Sequence, residues 1–290
     1  MAHARVGNLT IEYVMEGAPG APPLLLLMGT AAPLTMWDDE FCAALVARGY
    51  RVIRFDYRDT GRSSRVAAPV PSSIADMMQA LASGALSPPY SLEDLADEAA
   101  GLLDALGIAR AHLVGLSQGA GVAQLMAARA PDRVTGLALI ATSTGGPNVP
   151  PPNAQTMSVL MSDLPTDRDT FVAWNVLIYT RTGATTPAPD VAWIRRRAER
   201  TWDHGWDAAG FLRHLLAVVS ARDRTPLLAG LRLPVNIVQG ESDPIFSVVA
   251  AQQVAAAIPD ARLRIIPGMG HDIPPPFWDA ILEAVLPSRP

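Results

Sequence analysis

The chain runs to 290 residues, 49% hydrophobic and 18% charged, with a net charge of −5. That is the profile of a folded chain with a full core, not of a disordered segment or a nucleic-acid coat. All 23 basic residues are arginine, which excludes a P-loop lysine, a Schiff-base lysine and a lysine general base.

The one cysteine, Cys42, cannot form an intrachain disulfide. The longest strongly apolar run, Leu24 to Met28, is far too short to span a bilayer. Met1-Ala2-His3-Ala4-Arg5 leads into no signal segment, so a cytoplasmic location is expected. Val6 to Val14 reads as a hairpin turning near Gly7-Asn8. Leu24 to Met28 reads as a buried strand closed by Gly29, and Arg51 to Phe55 as a strand entering the polar turn Asp56 to Ser64. Ser91 is an N-cap with Asp94 three residues on. Leu92, Leu95, Ala99, Leu102, Leu103 and Leu106 follow at helical spacing, and Gly107 stops the helix. His112 to Val114 reads as a strand, Val122 to Arg129 as part of the next helix, and Val134 to Ile140 as another buried strand. This alternation predicts an α/β fold: a mostly parallel, doubly wound sheet covered on both faces.

The alternation breaks over residues 146 to 225. Pro147 and Pro150-Pro151-Pro152 open the stretch, and it holds four of the six tryptophans, Trp174, Trp193, Trp202 and Trp206. About 80 residues without a strand are too many for a loop in a compact domain. A helical cap over 146–225 is therefore expected after the sixth strand, between core segments 1–145 and 226–290. The insert carries nine arginines against eight acidic residues, whereas the remainder is acidic. A lid of such low charge suits a neutral, hydrophobic substrate, and Trp174, Trp202 and Trp206 are candidates for its pocket walls. Arg195-Arg196-Arg197 reads as a solvated helix face. Beyond Pro226, Pro234 to Gln239 is a strand, Ser247 to Ile258 a helix and Arg262 to Ile266 the last strand. A terminal helix starts at Phe277.

The chemistry gathers in four loops. Gly115-Leu116-Ser117-Gln118-Gly119 matches G-x-S-x-G between a buried strand and a helix, the setting of a nucleophile elbow. A serine needs a neighbouring base. Of five histidines only His271, in Gly268-Met269-Gly270-His271-Asp272, follows the final strand, and the order serine, acid, histidine suits such an elbow. The orienting acid is then expected in Gly240-Glu241-Ser242-Asp243-Pro244, as Asp243 with Glu241 in reserve. Asp272 is expected to be solvated. The oxyanion donors are expected to be the main-chain N–H groups of Gln118 and of Thr30, in Met28-Gly29-Thr30-Ala31. No His/Cys cluster has metal-ligand spacing, so neither a metal nor another cofactor is implied.

At these residues the chain resembles the α/β-hydrolase superfamily and, within it, the aclacinomycin methylesterase group. The resemblance covers both halves of the sheet. It rests on Leu27-Met28-Gly29, Arg54 to Ser63, Val114-Gly115-Leu116-Ser117, Asp243-Pro244-Ile245 and Ile266 to His271. It implies hydrolysis of a carboxylic ester through an acyl-enzyme on Ser117, including a methyl ester of a bulky polyketide. Gln118 stands where that group usually has methionine, with a side chain able to alter the pocket floor, while Asp56 to Ser63 reads as structural. Serine at 117 separates the chain from members of the fold with an aspartate nucleophile. The same triad would serve a cofactor-free haloperoxidase, a C–C bond hydrolase, or a ligand sensor that keeps it without rapid turnover. The expected partner is a small neutral ester, with no nucleic acid and no membrane span.

Overall fold

A computed structural model describes residues 1–286. The first half comprises β1 (Ala2–Val6), β2 (Leu9–Glu16), β3 (Pro23–Leu27), α1 (Asp39–Ala47), β4 (Arg51–Phe55), α2 (Ile74–Ala82), α3 (Leu92–Ala105), β5 (Ala111–Leu116), α4 (Gln118–Arg129) and β6 (Val134–Ile140). Helices alone follow: α5 (Ala154–Leu160), α6 (Arg168–Thr182), α7 (Val191–Gly205), α8 (Ala208–Val219) and α9 (Thr225–Leu228). The sheet then resumes with β7 (Val235–Gly240), α10 (Val248–Ala257), β8 (Arg262–Ile266) and α11 (Trp278–Val285). No helix among the described residues is long and apolar enough to cross a membrane.

The eight strands pair in the order β1-β2-β4-β3-β5-β6-β7-β8, antiparallel at β1–β2 and β2–β4 and parallel elsewhere. Alternation along each central strand feeds two cores. Leu24, Leu26 and Met28 pack on the face covered by Phe41 and Leu45 of α1 and Ile281 of α11. Leu25 and Leu27 pack on the other, with Leu95 and Leu102 of α3, Val122 of α4 and Val254 of α10. The helices after β3 and β5 therefore leave to opposite faces, and the crevice between those two strand ends is where ligands bind in open sheets of this kind.

Local signals explain most boundaries. Ser91 Oγ accepts from Asp94 N (3.2 Å) while Ser91 N donates to Asp94 Oδ2 (2.7 Å), the reciprocal cap expected for α3. At the β5–α4 corner no side chain fits at Gly119. A Cβ there would overlap the backbone of Leu27 and lie 2.6 Å from the Met28 carbonyl oxygen.

The strandless stretch is helical, with α5 to α8 inside residues 146–225 and α9 crossing its far end. Buried polar pairs join it to α4 and to the loop after β4. Arg213 grips Asp59 with two bonds (2.8 and 3.0 Å), and Arg224 Nε donates to Gln124 Oε1 (2.7 Å). His214 Nε2 donates to the Arg58 carbonyl (2.7 Å), and Gln118 Nε2 donates to His214 Nδ1 (2.9 Å). The arginine run is not a uniform solvated face. Arg195 and Arg196 are exposed, but Arg197 is 1% exposed. It falls on the buried stripe Trp193, Ile194, Arg197, Ala198, Thr201 and His204, which recurs at helical spacing.

Two expectations follow. Gly119→Ala should cost about 1–3 kcal/mol, because the clashing atoms are backbone and cannot rotate away; urea unfolding at neutral pH measures it. Burial pushes the pKa of His214 down to about 4, so the unfolded chain takes up this proton first as pH falls from ~6.5. That contribution is complete above the unfolded value and is lost towards the folded one, on the order of 3 kcal/mol in all. Urea melts between pH 7 and 4.5 should thus fall more steeply for the native chain than for His214→Phe, and equal slopes would refute the assignment.

Candidate active site

Ser117 is the single residue between β5 and α4, and the sharpness of that corner forces it to φ 55°. Left-handed backbone at a non-glycine residue is strained and gathers at functional sites. Ala31, in the loop after β3, shares it at φ 51° and lines the same cavity. The corner lifts the Ser117 hydroxyl clear of the sheet, towards the loop after β8. There Ser117 Oγ donates to His271 Nε2 (2.9 Å), and His271 Nδ1–H donates to Asp243 Oδ2 (2.8 Å). A carboxylate only accepts, which fixes this tautomer.

Asp243 is buried and held at both oxygens. Oδ1 accepts from Ile245 N (2.8 Å) and Phe246 N (2.9 Å), and Oδ2 also accepts from Gln239 Nε2 (3.1 Å). Glu241 lies apart from the imidazole and accepts from Gly268 N (3.3 Å). Burial opposes charge on His271. The attraction and hydrogen bond of Asp243, reinforced by Asp272, outweigh it and hold the imidazole above the ordinary histidine pKa.

Ser117 and His271 open onto a cavity of about 270 Å³. Gly29, Thr30 and Ala31 line it from the loop after β3, and Trp174, Trp206, Phe211 and Leu215 from the insert. Gln118 is the first residue of α4, so its main-chain N–H belongs to the helix's unpaired first turn. Its side chain turns away to His214 and does not form the pocket floor. Trp202 does not line the cavity either. It packs on Phe171 at 5.5 Å between ring centroids, among the insert's own aromatic residues.

Asp272 is not solvated. It is 4% exposed and takes two bonds from Arg197 (2.8 and 2.7 Å). The stripe on α7 carried a mark of this pairing, since Arg197 is in phase with Trp193 and Ile194. A second buried group joins insert and sheet. His204 Nε2 donates to Asp56 Oδ2 (2.7 Å) and lies 3.2 Å from Glu12 Oε2. Burial and the Asp56 carboxylate raise the pKa of Glu12. These three residues bring ligand-type atoms within 4.8 Å of one another. Asp56 is already filled by the N–H groups of Leu34 and Arg62 and by His204, so the group reads as a tether between α7 and the sheet.

A family model described as alpha/beta hydrolase fold matches residues 22–275. Rhodomycin D methylesterase DnrP of Streptomyces peucetius is 30% identical over 93% of this chain and 91% of its own length. The 2-hydroxy-6-oxononadienedioate/2-hydroxy-6-oxononatrienedioate hydrolase of Burkholderia vietnamiensis is 28% identical over 91% of this chain and 85% of its own. Among solved structures, the enol-lactonase of Burkholderia xenovorans LB400 superposes with a TM-score of 0.73 at 25% identity, covering 98% of both chains. A match from the strand that leads into Gly29 to the loop beyond His271 leaves no part of the site outside it: the chain belongs to the α/β-hydrolase family.

Proposed function

We propose that the chain is a serine esterase that cleaves a carboxylic ester through an acyl-enzyme on Ser117. The observation that carries this reading is the hydrogen-bonded line from Ser117 through His271 to Asp243, opening onto a largely apolar cavity. A serine hydroxyl alone is a weak nucleophile, and the imidazole on its Oγ supplies the base. Ser117 Oγ attacks the ester carbonyl as His271 Nε2 takes its proton. The carbonyl oxygen gains negative charge, which the main-chain N–H groups of Gln118 and Thr30 would stabilise. Collapse expels the alkoxide, which takes the proton from His271 and departs as the alcohol. Water then attacks the acyl carbon as His271 takes its proton, and the imidazolium gives that proton to Ser117 Oγ as the acid leaves. Asp243 holds the working tautomer and stabilises the imidazolium.

The insert acts in this reading as a cap that shapes the substrate. Likeness to a rhodomycin D methylesterase supports a methyl ester of a bulky hydrophobic acid. A dianionic substrate, as named for the Burkholderia vietnamiensis relative, fits less well. Arg197 is the one arginine among the described lining residues, and it is committed to Asp272.

Ser117→Ala should abolish ester hydrolysis while leaving the fold intact, a loss of up to ~10⁶-fold in kcat. Binding of a hydrophobic ester with no turnover by the native chain would favour the sensor reading. Asp243→Asn should lower kcat by about 10⁴-fold, whereas Glu241→Gln should have little effect. Neutral imidazole is the active form, so the acid limb of kcat/KM should lie above the ordinary histidine pKa of ~6.5. Wall residues tune specificity in steps of ~1–3 kcal/mol. Trp174→Ala and Trp206→Ala should thus raise KM for bulky methyl esters more than for a small acetate ester. Trp202→Ala should act through stability alone, and equal losses on both substrates in all three variants would remove the cap from specificity.

A further inference from the structure

The loop that carries His271 is seated on the insert. His271 N donates to the Thr182 carbonyl (2.6 Å), and Thr185 N donates to the Gly268 carbonyl (2.8 Å). A Cβ at Gly270 would overlap the Gly183 carbonyl, so the two backbones are in direct contact. The next side chain along, Asp272, makes the strongest link in this seat. Its Oδ1 accepts from Arg197 Nη1 (2.8 Å) and from Ile273 N (2.8 Å), and its Oδ2 accepts from Arg197 Nη2 (2.7 Å). The guanidinium lies between two rings, 4.4 Å from the Tyr179 centroid and 4.0 Å from that of Trp193. Both partners are almost fully withdrawn from water, with side chains 2% and 5% exposed.

A buried ion pair is a poor device for stability alone. Desolvation offsets much of its attraction, and a well-packed apolar pair often does as well. An ion pair does supply a fixed orientation and a reduced field. The charged groups facing His271 are Asp243 from the loop after β7, Asp272 from its own loop and, behind Asp272, Arg197 of α7. Asp38 and Arg200, themselves paired, lie further out. The imidazole therefore stands beside two carboxylates, one hydrogen-bonded to it and one adjacent in sequence. A general base has to be neutral before it acts, and an uncompensated second carboxylate would keep it protonated.

We propose that Arg197 is a positioning residue for the Ser117–His271–Asp243 line: its pair with Asp272 pins the loop of His271 to α7 and offsets part of a second carboxylate's charge at the imidazole. The functional part rests on the reading of His271 as general base; the electrostatic part does not. The two partners then act on His271 with opposite sign. Loss of Arg197 exposes a negative charge and favours imidazolium. Loss of the Asp272 charge leaves a cation nearby and disfavours it.

The test is an NMR titration of isotope-labelled histidine in the resting protein, with the His271 signal assigned by its absence in His271→Gln. Arg197→Met should raise the His271 pKa by about one unit and Asp272→Asn should lower it by a similar amount. The double variant, Arg197→Met with Asp272→Asn, should return to within a few tenths of the native value. The acid limb of kcat/KM on an acetate ester should move with each shift. Singles that shift in the same direction, or not at all, would overturn the proposal and reduce the pair to a strut. Where a single variant fails to fold, the uncharged double variant decides, and a double displaced by a full unit overturns it. If the titrations follow these signs in a protein that hydrolyses no ester, the electrostatic inference stands and the esterase reading fails.

Discussion

One constraint organises the molecule: the chain must pass from β5 to α4 in a single residue, beneath the end of β3. Gly115 and Gly119 allow it, since a side chain on either would strike backbone. Ser117 occupies the strained position that remains. The direct parallel pairing of β3 with β5 sets the Gly29 loop beside the corner. The same pairing sends α1 and α4 to opposite faces, so the crevice stays open above the serine. The β7 and β8 loops, two and three strands further along the sheet, reach back to complete the line.

The insert is bound to the sheet by ion pairs and a buried hydrogen bond rather than by apolar contact alone. Arg213 pairs with Asp59 and Arg197 with Asp272, and His204 donates to Asp56. The uneven charge along the chain, slightly basic in the insert and acidic elsewhere, reflects this interface in part. Each pair is also directional. An apolar seam could slide, whereas bidentate forks hold one register between α7, α8 and the strand ends.

The strands were legible because alternation and β-branched or leucine-rich runs report burial directly, and α3 because its cap and stripe agree. Ser117 and His271 stand out as candidates because each sits in a glycine-marked loop at a strand end, and the structure brings their side chains to 2.9 Å. Asp243 needed geometry to be separated from Glu241, as both lie in one short loop and differ only in where they point. α1 and α2, nine residues each, lack the long leucine stripe of α3, although Ser73 caps α2 through Asp76 N as Ser91 caps α3 through Asp94 N. The burial of Asp272 is marked only on its partner's side: Arg197 lies 75 residues upstream on the buried stripe of α7, and nothing in the sequence around Asp272 points to it. Residue type does not separate Trp202 from Trp174 and Trp206, and all three pack on Phe171. Only the outline of the cavity distinguishes them, since Trp174 and Trp206 line it and Trp202 does not.

The seat of the His271 loop on the Thr182–Thr185 segment ties two quantities that could have been independent. The insert forms one wall of the cavity and also carries the main-chain acceptor that holds His271. The width of the cavity and the reach of the imidazole towards Ser117 are thus set in part by the same segment. A displacement of that segment would alter both together.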